Sequence, residues 1–536
     1  MIKSSNSKMA NSEVSNSSAF AKQTYLRGVA IVGTSGLVFG LGLAGSTPAF
    51  AVAPFTCTAN NTATPQANPS LSRAEIVEVI DYVFDNSDGT VQICLDGNFT
   101  INSGLEFGGR DFHFYGTENS SIQSQAPGGV FNLDSLWLET DYQLTIENLL
   151  IQNSSGDIPN PYAAVTAEQV NIRDSTFSGN TYGAVYGRIV DVSDSTFVDN
   201  TSEMRSGGAI IAEESAEIGD STFEGNISEG SGGAIYVGTE DQAESNILYI
   251  TNSTFLDNSA NSGGGAIFSP YTVITNSTFV ENSAFEGGAV SSEILVTHNS
   301  TFVGNSAQTE GAEGGALYSS GAYILFSTFL NNEAPDLSGG PGDTPGNAIY
   351  RYFSPAAPMG ISLVGNIFAG SSNRAQIGIG DIAAPVSDLG GNVFSTSSET
   401  EEDLTSQDPS SVFGASLVSI FGTNSPELLS HEPNLNGTQT VAPSPGSVAL
   451  DIVPSGIFQE VIDFLDVGLG LNSQVDQRGA PRTNPADAGA FEGSVTPSLA
   501  TTGSTTPWWA VWSSAAMLAI GGLAMAYAKR SRRRIR

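Results

Sequence analysis

Three aspartates hold one place in successive copies of a recurring phrase: Asp174, Asp194 and Asp220 each come directly before Ser-Thr-Phe. Stacked on one another they would form a row of carboxylates. Such a row raises the pKa of its members or recruits a cation such as calcium, and two carboxylates at a suitable separation are enough for glycoside hydrolysis. The alternative is a solvated outer face of an acidic protein. Asn252, Asn276 and Asn299 take over the same place further along the chain.

Uronate lyase chemistry has poorer material. Removing the proton beside a uronate carboxylate calls for a basic side chain or for cations that neutralise the carboxylate. No Lys or Arg occurs between Ser206 and Tyr350, although Arg173, Arg188 and Arg205 lie just before that stretch. The histidines His113, His298 and His431 share no metal-ligand spacing, and His298 reads as a surface variant of its repeat. Gly-x-Ser-x-Gly, His-Glu-x-x-His and phosphate-loop motifs are missing from the sequence. No catalytic residue is assigned on these grounds. No cofactor is required, and calcium at the aspartate row is the one candidate.

These residues sit in a repeat array. Ser-Thr-Phe-x-x-Asn recurs at Phe177/Asn180, Phe197/Asn200, Phe223/Asn226, Phe255/Asn258, Phe279/Asn282, Phe302/Asn305 and Phe329/Asn332. Between the copies stand Gly-Gly-Ala-Ile and its variants, beginning at Gly207, Gly232, Gly264, Gly287 and Gly314. The period is about 20–32 residues, most often near 25, which is solenoid spacing. Short runs rich in Val, Ile, Thr and Phe, broken by Gly and Asn, argue for strands rather than helices. Stacking such units in register places each strand about 4.8 Å from its copy, with Phe in one interior column and Asn in another. Propeller blades need about 40 residues or more. The expected fold is therefore all-β: a single-stranded right-handed parallel β-helix with a short N-terminal cap helix and a C-terminal transmembrane helix. Residues 52–394 would supply roughly 13 rungs and a rod on the order of 60 Å long.

The paired Phe-x-x-Asn and Gly-Gly-Ala-Ile motifs resemble the repeats of chlamydial polymorphic outer-membrane proteins and related bacterial surface β-helices, over roughly residues 171–350. That resemblance implies a scaffold displayed at a cell surface, with adhesins among the relatives. Those relatives also carry a C-terminal β-barrel, and no part of this sequence reads as one.

The flanks fit the same plan. Ser72-Arg73-Ala74-Glu75 is a capping-box pattern that opens a helix, and Ile76, Val79, Ile80 and Val83 give it an apolar stripe suited to cover the first rung. Residues 395–430 read as a loop or linker. The stretches Pro445–Asp451, Asp476–Arg482 and Asp487–Glu492 resemble the tail of choice-of-anchor Q β-helix proteins. Residues 395–493 are expected to supply C-terminal rungs, a loop and a closing region, and by that resemblance the tail closes the last rung, with Arg478 and Arg482 paired to Asp or Glu.

Both ends carry targeting signals. An apolar run over 28–45 leads to Ala49-Phe50-Ala51, a signal-peptidase site with cleavage after Ala51. Ala51-Val52-Ala53 is a second site, and an uncleaved anchor is the alternative. Beyond the membrane, Cys57 and Cys94 make an even count in a compartment where disulfides persist; two buried thiols are the other reading. At the far end, an apolar span over 508–528 is followed by the basic tail 529–536, and a linker over 494–507 precedes the span. That linker holds Leu499, Ala500, Thr501, Thr502 and Gly503, and the three-part arrangement resembles an LAxTG sortase sorting signal. The resemblance implies a sortase cut between Thr502 and Gly503 and covalent attachment to peptidoglycan on a Gram-positive actinobacterial surface.

The chain carries 55 Asp plus Glu against 19 Lys plus Arg, a net charge of −36. That field repels nucleic acid, anionic lipid and anionic polysaccharide. Membrane contact is expected only through the C-terminal segment. The sequence thus points to an extracellular rod, anchored to the wall or, in the alternative, to the membrane by an ordinary single span, that presents an acidic face to a glycan or protein ligand, an adhesin in type. A polysaccharide-active enzyme on the same scaffold and a passive acidic coat are the alternatives.

Overall fold

The computed structural model describes residues 73–492 apart from 87–88, 118–119, 125–128, 134–141, 155–162, 204–205, 239–245, 309–311, 336–345, 353, 355–359, 371–374, 380–385, 396–403, 431–437 and 463–473. The signal-peptide region, Cys57, the sorting motif and the span 508–528 lie outside the described residues. Among the described residues, no helix is long and apolar enough to cross a membrane.

Each copy of the phrase is one coil of a parallel β-helix. Among the described residues the coil strands fall into an 18-stranded, a 12-stranded and a 5-stranded sheet, beside a two-stranded antiparallel pair of Leu429–Ser430 with Gln439–Thr440. The pairings between coils are parallel, as in Thr254–Leu256 beside Thr278–Val280. The 12-stranded sheet runs from Asn98–Ile101 to Val393–Phe394. At the strand spacing that is a rod of about 55 Å.

Three left-handed corners turn the chain from sheet to sheet. The first is the residue before Ser-Thr-Phe: Asp174 (φ 46°), Asp194 (49°), Asp220 (48°), Asn252 (53°), Asn276 (50°) and Asn299 (49°). Asp and Asn tolerate this conformation better than other residues with a side chain, which explains their alternation there. The second corner precedes each ladder Asn, as at Gly225 (φ 64°) and Asp257 (φ 53°). The third is the first glycine of Gly-Gly. Gly264 has φ 69°, whereas its neighbour Gly265 answers a different demand: a Cβ there would lie 2.0 Å from the carbonyl oxygen of Gly288 on the next coil.

Inside, Phe177, Phe197, Phe223, Phe255, Phe279, Phe302 and Phe329 are fully buried and stack with ring centroids 4.8–4.9 Å apart. The column continues through Phe368 and Phe394 to Phe413, and Ile151 and Ile122 occupy its place in earlier coils. Asn180, Asn200, Asn226, Asn258, Asn282, Asn305 and Asn332 form the expected second column. The serine of Ser-Thr-Phe forms a third. The Ser195 amide donates to Ser221 Oγ at 3.1 Å, and Ser195 Oγ donates to the Ser193 carbonyl at 2.7 Å, which closes the first corner.

Helix α1 (Arg73–Asn86) covers the start of the rod, as its sequence predicted. Ile76 and Ile80 are buried, and Arg73 donates from Nε and Nη2 to the Gly104 carbonyl at 2.9 and 2.7 Å. Cys94 is buried in the strand Val91–Leu95.

Three expectations are corrected, two of them beyond residue 394. Part of 395–430 is a coil rather than a linker: Leu404–Ser406 pairs with Val386–Gly390, Phe413 extends the Phe column, and helix α2 (Leu417–Phe421) buries Ile420 and Phe421. Residues 438–492, which include helix α3 (Ser455–Ile462), do not simply close the last rung. They run back along the flank of the rod, where Thr278, Thr301 and Thr328 bond to Gln439, Gln477 and Ala490. Those threonines are fully buried under this strap, while Thr176, Thr196, Thr222 and Thr254 of earlier coils are partly open. His298 is likewise interior, at 1% exposure. Burial first, and then the nearby Arg482 guanidinium, push its pKa down to about 3.

The strap holds its own ion pairs, as expected. Arg478 pairs with Asp476. Arg482, fully buried, reaches Glu492 at 3.2 Å and Asn299 Oδ1 at 2.8 Å, and its guanidinium lies 4.3 Å from the Phe326 ring centre.

Candidate functional site

The alternation of a strand sends every second side chain outward, and parallel in-register stacking turns one outward position into a column. The position after Gly-Gly-Ala-Ile is such a place. Its occupants in register are Tyr186, Ile211, Tyr236, Phe268, Ser291, Tyr318 and Tyr350. The rings are parallel: Tyr236 and Phe268 stack with centroids 5.4 Å apart, Tyr318 and Tyr350 with 5.7 Å. Tyr352 stacks on Tyr318 at 4.5 Å.

Ser291 interrupts this column with a small side chain. A cleft of about 370 Å³ opens there, lined by Tyr236 and Phe268 on the preceding coils, by Ser291, Ser292 and Glu293, and by Tyr352. Glu293 Oε1 accepts from Ser354 Oγ at 2.6 Å. Glu286 is hydrogen-bonded to the Tyr318 hydroxyl, yet burial outweighs that bond and raises its pKa. Burial, and then Glu286 and Glu313, push the Tyr318 phenol up. Aromatic faces beside carboxylates, with no cation among residues 206–350, can stack on a flat ligand and accept hydrogen bonds from it.

The expected carboxylate row exists as a row. Asp174, Asp194 and Asp220 stand on successive coils, and Asp220 Oδ1 accepts from Asn252 Nδ2 at 3.2 Å. Burial raises the pKa of Asp194 and Asp220, and the aspartate one coil earlier adds to it in both. Among the described residues, no group of three or more His, Cys, Asp or Glu converges to hold a metal ion. The Phe and Asn columns are interior and serve the scaffold. Nearer the N-terminus, His113 Nε2 lies 3.0 Å from Glu147, with Tyr115 tilted against the imidazole. Burial lowers the His113 pKa despite the Glu147 carboxylate.

Sequence reasoning did not single out the aromatic column. Its signal was present: in three of the five Gly-Gly copies the next residue after the apolar pair is Tyr or Phe, at 236, 268 and 318.

The Chlamydia polymorphic membrane protein repeat family matches residues 220–238 and 252–270, two coils of the array. No curated protein matches the sequence. Among solved structures, the chain is similar to a PL6 alginate lyase in complex with a trisaccharide, at 11% identity and TM-score 0.38, over 72% of this chain and 93% of the other. It is also similar to an alginate lyase in complex with G6, at 11% identity and TM-score 0.39 over the same shares.

Proposed function

We propose that this protein is a surface-displayed binding rod, held to the cell wall through Leu499–Gly503 and engaging glycans along the aromatic strip of its large sheet. The carrying observation is the half-buried column of Tyr236, Phe268 and Tyr318, continued inward by the buried Tyr350 and interrupted at Ser291 by a cleft that Glu293 lines. Stacked rings cover one another's faces, so it is the break at Ser291, where Phe268 lines the cleft, that suits the apolar face of a sugar ring, and a solenoid holds the ring in place without induced fit. The cations nearest the strip are already engaged, Arg351 by full burial and Arg188 by its pairs with Glu168 and Glu214, which speaks against uronate substrates on this face.

Glycoside hydrolysis is the second reading. Burial raises the pKa of Glu286 and favours its protonated form, and Glu286 and Glu293 both act on the Tyr352 hydroxyl. One assay separates the two. Residues 52–502 are mixed with neutral, basic and acidic polysaccharides, and bound protein and newly released reducing ends are scored together. Binding without release supports the rod as a binder. Release that vanishes in Glu286→Gln makes it an enzyme, and neither signal on any polysaccharide overturns both readings.

A further inference from the structure

Cleft chemistry narrows the ligand beyond "glycan". Phe268, stacked on Tyr236, and Tyr352, stacked on Tyr318, both line the cleft, and the carboxylate that lines it is Glu293. Glu286 and Glu313 follow one another in register at the adjoining corner, where both act on the Tyr318 hydroxyl. No Lys or Arg is present from Ser206 to Tyr350, and the chain as a whole carries −36. The next cation, Arg351, stands two coils from Ser292 in register, fully buried, with its Nε donating to the Ser320 carbonyl. A neutral sugar would gain from the rings but nothing from this field. A ring that also carries an ammonium gains from both, because a cation near an aromatic face and a carboxylate beside it act in the same direction.

Resting on the glycan-binding reading above, we infer that the cleft at Ser291 takes a cationic sugar, one unit of a polymer of unacetylated amino sugars, its ring between Phe268 and Tyr352 and its ammonium at Glu293. The small side chain at Ser291 is the specificity element. An aromatic residue there would continue the column and fill the space the sugar ring uses.

The test is calorimetric titration of the full-length protein in mild detergent with five hexameric probes: glucosamine, N-acetylglucosamine, glucose, galacturonate and lysine. The glucosamine hexamer is expected to bind, more weakly as salt rises, and at least about tenfold more tightly than its acetylated or glucose counterpart. Phe268→Ala, Glu293→Gln and Ser291→Tyr are each expected to weaken it by about tenfold, the last two without loss of fold. Unfolding curves recorded for each variant identify any that fails to fold, and the half-buried Glu293→Gln keeps the test decisive if Phe268→Ala does. Equal affinity for the acetylated or glucose hexamer overturns the cationic-sugar inference and leaves the glycan-binding reading standing. Equal affinity for hexalysine, unchanged in the three variants, means generic charge attraction and overturns the site. Binding of none of the sugars overturns the glycan-binding reading itself.

Discussion

Asn226 Nδ2 donates to Asn258 Oδ1 at 2.9 Å across one coil of the rod. The same Oδ1 accepts the Asn226 backbone amide at 3.0 Å. Asn258 Nδ2 in turn reaches the Phe223 carbonyl at 2.9 Å and Asn282 Oδ1 at 2.9 Å. One side chain therefore satisfies two donors and two acceptors in a place closed to water, since Asn258 is fully buried. Removing it strands several polar groups at once. Asn258→Ala is expected to destabilise the rod by at least about 3 kcal/mol, read by urea denaturation. A change below about 1 kcal/mol would mean the ladder is dispensable.

Corner geometry gives a second expectation. Asn276 holds φ 50°, so Asn276→Gly is expected to be nearly neutral and Asn276→Ala to cost about 1 kcal/mol. Gly265→Ala is expected to fail to fold, because the new Cβ would meet the Gly288 carbonyl at 2.0 Å. Thermal unfolding of the three variants compares them directly; equal midpoints for Gly and Ala at 276 would refute the corner argument.

The strap depends on a buried cation. Arg482→Met leaves the Glu492 carboxylate without its cation in a dry setting, and a loss of about 3–5 kcal/mol is expected. Limited proteolysis of the variant should release fragments from 438–492 while the coils over 165–330 stay intact. Simultaneous digestion of both would show that strap and rod fold as one unit.

Stability should rise on mild acidification. Burial lifts Asp388 to about 6, against the pull of its bonds to Asn392, Ser411, Asp408 and Gly390. Between roughly pH 4 and 6 the folded chain keeps a proton that the unfolded chain has lost, so folding stability falls as pH rises through that window. This group alone contributes up to about 3 kcal/mol between its protonated and ionised limits, and relief of the −36 charge acts in the same direction. Melting temperatures at pH 5 and 7.5 should differ, with a smaller gap in Asp388→Asn. An unchanged gap would assign the effect to general charge repulsion.

Anchoring is tested at the wall. Muramidase-digested walls should yield a C-terminal peptide that ends at Thr502 and is linked to a peptidoglycan amine. A peptide that still contains Trp508 would mean the apolar span is retained as the anchor. On non-reducing gels of the same material, Cys57 and Cys94 are expected to resist thiol labelling until reduced.

The array was legible because each coil must present the same side chain to the same interior column, so packing writes itself into the sequence as a period. Phe368, Phe394 and Phe413 escaped that reading because their coils lack the Ser-Thr prefix, although the apolar column accepts them without it. The sequence offers the aspartate row either as a carboxylate site or as a solvated face, and the shared left-handed φ of Asp174, Asp194 and Asp220 adds a backbone demand at the same positions. Thr254 and Thr278 occupy one motif position, yet one is partly open and the other buried under the strap. Only a contact across 161 residues, Thr278 to Gln439, separates them.

By itself the sequence determined the coil: its period, its Phe and Asn columns, its glycine corners, and the acidic, cation-poor surface. These are local and repeated, so each copy reports the same physical constraint. The tertiary structure decided where the strap lies, why His298 is neutral and buried, and which outward position becomes an aromatic strip with a gap at Ser291. Those outcomes depend on stacking register and on single long-range contacts, which occur once and leave no periodic trace in the chain.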